Sequence, residues 1–88
     1  MSGYRGHIHY TNEEPGTYDY SFDVRKLKKM DFQVIITPGS NLSLNEINFT
    51  ESGEVSIDCS TLTHIKMRFV VPEGVIGDCD IYYIEYDN

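Results

Sequence analysis

Apolar residues recur at every second position through most of this chain, and a period of two is the mark of extended strands, not helices. Tyr18, Tyr20, Phe22 and Val24 alternate with Asp19, Ser21 and Asp23. Val55, Ile57 and Cys59 alternate with Ser56 and Asp58, and Ile65, Met67, Phe69 and Val71 with Lys66, Arg68 and Val70. Nearer the start, Tyr4, Ile8 and Tyr10 share the stretch Tyr4 to Thr11 with Arg5, His7, His9 and Thr11. No stretch of helical length carries a 3.6-residue period. The pattern predicts an all-β antiparallel fold of about seven short strands, a compact β-sandwich or small barrel.

Turn chemistry divides the strands. Asn12-Glu13-Glu14-Pro15-Gly16 separates the first two, which are expected to pair as a hairpin. The stretches Val55 to Cys59 and Ile65 to Val71 read as a second hairpin. Arg25 to Asp31 breaks the alternation and holds four of the seven Lys and Arg residues, so it reads as a connecting loop or single helical turn. Phe32 to Thr37 is a run rich in β-branched residues, expected as a central strand buried on both faces and ended by Pro38-Gly39-Ser40-Asn41. Leu42 and Leu44 lie in one phase and Ile47 and Phe49 in the other, which places a β-bulge at Asn45-Glu46. Pro72-Glu73-Gly74 precedes a last strand, Cys79 to Tyr86, with apolar residues in both phases. The inward phases give an expected core of Phe22, Val24, Val34, Ile36, Val55, Ile57, Met67 and Phe69.

At 88 residues there is room for one core, so residues 1–88 are expected to form a single domain. Fourteen acidic against seven basic side chains give a net charge of −7, which disfavours nucleic acid and anionic membranes and suits a protein partner with a basic surface. The start, Met1-Ser2-Gly3-Tyr4-Arg5, carries no apolar leader segment, and no run approaches the ~18 apolar residues of a membrane span. The expected setting is the cytoplasm of a host cell, or a virion. Cys59 and Cys79 lack the spacing of a disulfide framework or metal knuckle and read as two buried free thiols.

His7 and His9 project from one face of the first strand, and Glu13 follows. Two imidazoles and a carboxylate could hold a divalent metal, with His64 as a conceivable further ligand. The string His7-x-His9-x-x-x-Glu13 is similar to that of cupin metal sites, but it precedes the strands a cupin places ahead of it, and 88 residues are expected to be too short for that double-stranded barrel. The reading adopted is a pair of solvent-facing histidines on an edge strand, with no tightly held metal and no cofactor. Asp78, Asp80, Glu85 and Asp87 form an acidic end that reads as solvated and not as a calcium site. No glycine-rich phosphate loop is present, and no Ser or Cys nucleophile pairs with a recognisable base, so the chain is not expected to be an enzyme.

Seven tyrosines bear most on binding, because tyrosine offers a large contact area at low entropic cost. With the last strand apolar in both phases, Tyr82, Tyr86, Asp80, Glu85 and Asp87 are the expected partner-binding residues. The leading function is a small, acidic, non-catalytic interaction module, of the type of a phage or mobile-element inhibitor or accessory factor. A virion or assembly subunit that self-associates is the second reading, and a glycan-binding β-sandwich the third.

Overall fold

The alternation resolves into eight strands in the computed structural model, which describes residues 3–87. Met1 and Ser2, on which the expectation about a leader segment partly rests, lie outside the described residues, as does Asn88. The strands are β1 (Gly3–Glu13), β2 (Gly16–Asp23), β3 (Leu27–Ile36), β4 (Asn41–Leu44), β5 (Ile47–Phe49), β6 (Gly53–Asp58), β7 (His64–Val71) and β8 (Gly77–Asp87). They form two four-stranded antiparallel sheets, ordered β1-β8-β3-β6 and β2-β7-β4-β5. This is the strand order of a jelly roll, in which successive strands cross from one sheet to the other except at β4 and β5. No helix occurs among the described residues, so none is long and apolar enough to cross a membrane.

Both expected hairpins are overturned by this order. β1 pairs with β8, and β2 with β7, because the link at Glu14 and Pro15 carries the chain to the opposite sheet. Likewise β6 pairs with β3, and β7 lies between β2 and β4. The sequential pair is β4 with β5, and here the expected bulge is a two-residue hairpin loop: Leu44 faces Ile47 across Asn45 and Glu46. Reversing the chain produces the change of phase that reads as a bulge in the sequence. Asn45 takes the left-handed conformation (φ 54°), which asparagine tolerates, and its side-chain oxygen accepts the Lys66 amide at 2.8 Å.

β3 corrects two further expectations. It begins at Leu27, so only Val24 to Lys26 connects it to β2; an irregular register between Leu27 and Lys29 hides the strand period there. It is central in its sheet, but one face only is buried. Met30, Phe32, Val34 and Ile36 point inward while Lys29, Asp31, Gln33 and Ile35 point outward, and Ile35 is 43% exposed. The expected turns at Pro38-Gly39 and Pro72-Glu73-Gly74 are present. Gly39 (φ 93°) and Gly74 (φ 83°) occupy the left-handed positions, and the turns close with Ser40 N to Thr37 O at 3.1 Å and Val75 N to Pro72 O at 3.2 Å. Connections of two to five residues let eight strands fit in 88 residues, so the length objection to a double-stranded topology falls.

The inner faces share one cluster of buried side chains that includes seven of the eight expected core residues; Val55 is partly buried against it. Phe69 stacks on Tyr10 (6.0 Å) at one end, and Phe22 meets Phe32 (5.4 Å) and Tyr83 (5.2 Å) edge-on at the other. Cys59 and Cys79 are both buried and unpaired. Burial foremost, with Asp80 adding to it, pushes the Cys79 thiol up to about 12, and burial also raises Cys59, so both stay protonated and inert.

Candidate functional site

The pairing of first strand with last builds the most distinctive surface of the molecule. Strand alternation sends Arg5, His7 and His9 of β1 outward, and the register sets them beside Ile84, Tyr82 and Asp80 of β8, which lie in turn beside Asp31, Gln33 and Ile35 of β3. His7 Nε2 lies 2.7 Å and His9 Nδ1 2.6 Å from the same oxygen, Asp80 Oδ1. The His7 ring stacks flat on Tyr82 (4.3 Å between centroids, 4° between planes). Thr11 Oγ1 lies 2.5 Å from His9 Nε2, so the ring is held at both nitrogens. Burial works to raise the Asp80 carboxyl, but the hydrogen bonds from His7 and His9 outweigh it and hold the group below its ordinary value.

Toward the other end of the face, Tyr86 donates to Asp31 Oδ2 at 3.1 Å and lies beneath Lys29, whose Nζ is 4.7 Å from the ring centre. Ser56 donates to Asp31 Oδ1 at 2.6 Å. The Ser56 bond foremost, and then Tyr86 and Lys29, keep Asp31 below the usual carboxyl range against the effect of burial. Between the two clusters lies a shallow depression of about 360 Å³, whose lining includes Arg5, Asp31, Gln33, Glu54, Tyr82 and Ile84. Tyr82 is 44% exposed beside it.

The outer face of the second sheet is different in kind. Its depression, about 540 Å³, has a lining that includes Asp19, Ser21, Ser43, Lys66 and Arg68 together with Tyr20 and Met67. Arg68 grips Asp19 through two bonds of 2.8 and 3.3 Å, and both side chains are more than half exposed, so the pair is a solvated ornament of the sheet.

Of the expected partner residues, Asp80, Tyr82 and Tyr86 share the outer face of β8. Glu85 lies in the opposite phase, across from Met30 and Tyr4, where burial and then Asp87 raise its carboxyl. Asp87 ends the strand in that same phase, opposite Leu27. Of the residues weighed as an alternative metal set, His7 and His9 do share a face, but Glu13 is not with them. The register of β1 slips between Tyr10 and Glu13, with Asn12 left-handed (φ 54°), and Glu13 is set across from Gly77 on the inner side. There its charge adds to burial in raising Tyr10 and Tyr18. His64 belongs to the other sheet, beside Thr63. Sequence reasoning misses Asp80 as the companion of the histidines, and misses Ile35 as an outward residue of the same face. The one available signal for Asp80 is its place in the polar phase between Cys79 and Ile81, which says nothing of the strand beside it.

The fold defines an eight-stranded, all-β chain of two antiparallel sheets in jelly-roll order. No protein-family model matches the chain, and no curated protein matches it in sequence. Among solved structures it is similar to the SPBc2 prophage-derived protein YomS, with a TM-score of 0.56 and 13% identity over 93% of this chain and 94% of that one. It also matches a de novo designed double-stranded β-helix at a TM-score of 0.48 and 5% identity, over 93% of this chain and 96% of the other. The likeness to YomS is one of fold.

Proposed function

We propose that this protein is a small non-catalytic binding module, of the type of a phage or mobile-element inhibitor or accessory factor, acting in the host cytoplasm or on the virion. It presents the outer face of β1, β8 and β3 to a protein partner with a basic surface. The observation that carries the reading is the row of Tyr82, Ile84 and Ile35 on adjacent central strands, with Asp31, Glu54 and Asp80 around it, on a face where a soluble sheet would ordinarily be polar. The outer face of the second sheet, where Asp19, Ser21, Ser43, Lys66 and Arg68 outnumber the apolar Val70, supplies the contrast within the same molecule. A net charge of −7 favours a basic partner and steers its approach, while Tyr82 and Ile35 supply contact energy. The fold shared with a prophage-derived protein agrees with the phage type.

The test is binding kinetics with a captured partner. Raising salt from ~0.15 M to ~1 M shortens the screening length from about 8 Å to about 3 Å and should slow association far more than it speeds dissociation. Tyr82→Ala and Ile35→Ala should speed dissociation, while Asp80→Asn and Glu54→Gln should slow association. Binding indifferent to salt and to all four substitutions contradicts the proposal. The second reading, a virion or assembly subunit, is favoured by β1, an 11-residue strand with no partner on its outer edge among the described residues. Light scattering across a concentration series separates the two, since a subunit self-associates and a binding module keeps a constant mass.

A further inference from the structure

We infer that His7, His9 and Asp80 form a binding site for one divalent transition-metal ion of the zinc class. This goes beyond the partner reading and does not depend on it. One donor atom from each of His7, His9 and Asp80 lies within 4.8 Å of the other two, and His7 Nε2 and His9 Nδ1 are those nearest Asp80 Oδ1. Two imidazoles and a carboxylate suit zinc, nickel or copper, whereas magnesium and calcium require mainly oxygen ligands. Zinc bonds of about 2.1 Å set neighbouring donors roughly 3.0 to 3.4 Å apart. The two nitrogens stand 2.7 and 2.6 Å from Asp80 Oδ1, and the donor atoms of the two histidines lie within 4.8 Å of each other. A turn of the carboxylate that opens the first two gaps by less than ~1 Å, with rotations of the imidazoles that close the third toward ~3.4 Å, admits the ion.

The supporting groups are those a metal centre needs. Thr11 lies at His9 Nε2, the nitrogen left over when Nδ1 binds metal, and its hydroxyl can accept the ring N–H in that state. Tyr82 fixes the plane of His7 by stacking. All three ligands rise from adjacent paired strands, which hold their spacing rigidly: His9 is directly across from Asp80, and His7 one residue pair further along the same face. Their side chains are 42%, 50% and 28% exposed, so the ion enters from solvent and water completes its coordination. Hydrogen bonding of two imidazoles to one carboxylate is the competing account of the same cluster, and it predicts no metal affinity.

Zinc chloride titrated into the tag-free chain by calorimetry separates the two. One saturable site is expected, weakened at least about 10-fold in each of His7→Gln, His9→Gln and Asp80→Asn, and by about 10-fold in Thr11→Val. Glu13→Gln and His64→Gln should bind as the parent does, and a tenfold excess of magnesium or calcium should not compete. A parent that fails to saturate, affinity that survives the three ligand substitutions, an equal loss in Glu13→Gln or His64→Gln, or competition by calcium each overturns the site. Melting in metal-free buffer checks that the variants fold. The parent carries the test alone if one does not: zinc should shift the ring-proton resonances of His7 and His9 and leave that of His64 in place, and a parent that shifts all three or none refutes the inference.

Discussion

Glu85 shows at single-residue scale how the inward phase of β8 reaches the end of the core. Its folded-state carboxyl pKa is raised, by burial first and by Asp87 second. A carboxyl raised in this way contributes stability that is present below its unfolded value of about 4.3 and is lost as pH rises through the folded one. Glu85→Gln should therefore melt higher than the parent at pH 7, with the gain gone at pH 3. Thermal melts at the two pH values check this, and equal melting at pH 7 would mean that Glu85 is solvated. Asp31 and Asp80 have the opposite sign: their stabilisation is present above the ordinary carboxyl value and is lost as acid carries the pH down through their lowered ones. At this scale the sequence is legible wherever parity alone decides. His7 and His9 share a face because they are two apart, and the same rule identifies Phe22, Val34 and Met67 as core. It fails at Glu13, where a left-handed Asn12 resets the parity, and at Asp80, whose contact with His9 spans 71 residues of chain.

Strand pairing is the level at which sequence reading fails, for a physical reason. Alternation fixes which face of a strand is inward but carries no label for its neighbour, and short links such as Glu14-Pro15 serve a hairpin or a change of sheet equally well. The joint between β1 and β8 is instead specified by shape. Gly6 lies directly across from Tyr83, and a Cβ at that position would overlap the Tyr83 ring, which packs over the bare glycine and on against Phe22. Gly6→Ala must displace the ring from the core, at an expected cost of about 1 to 3 kcal/mol of stability by denaturant unfolding. An unchanged midpoint would mean that Tyr83 does not occupy this position. Nuclear Overhauser contacts offer a direct check of the pairing itself: backbone protons of His7 should meet those of Tyr82, and contacts from β1 to β2 in their place would restore the hairpin.

For the whole molecule, the jelly-roll order brings the first and last strands side by side and leaves two outer faces of contrasting chemistry. One is aromatic and apolar at its centre with carboxylates and histidines around it, and the other is mainly polar, with Val70 and a solvated Asp19–Arg68 pair. The acidic balance and the exposed tyrosine are visible in the sequence, but the face they build requires β1, β8 and β3 in one sheet. The most direct test is photo-crosslinking in native host extract, with a photoreactive amino acid placed either at Gln33, at the centre of the first face, or at Ser43, on the second. Crosslinking of a basic protein from position 33 and none from position 43 is the predicted result. A product from position 43 alone, or equal products from both, would contradict the assignment of the binding face.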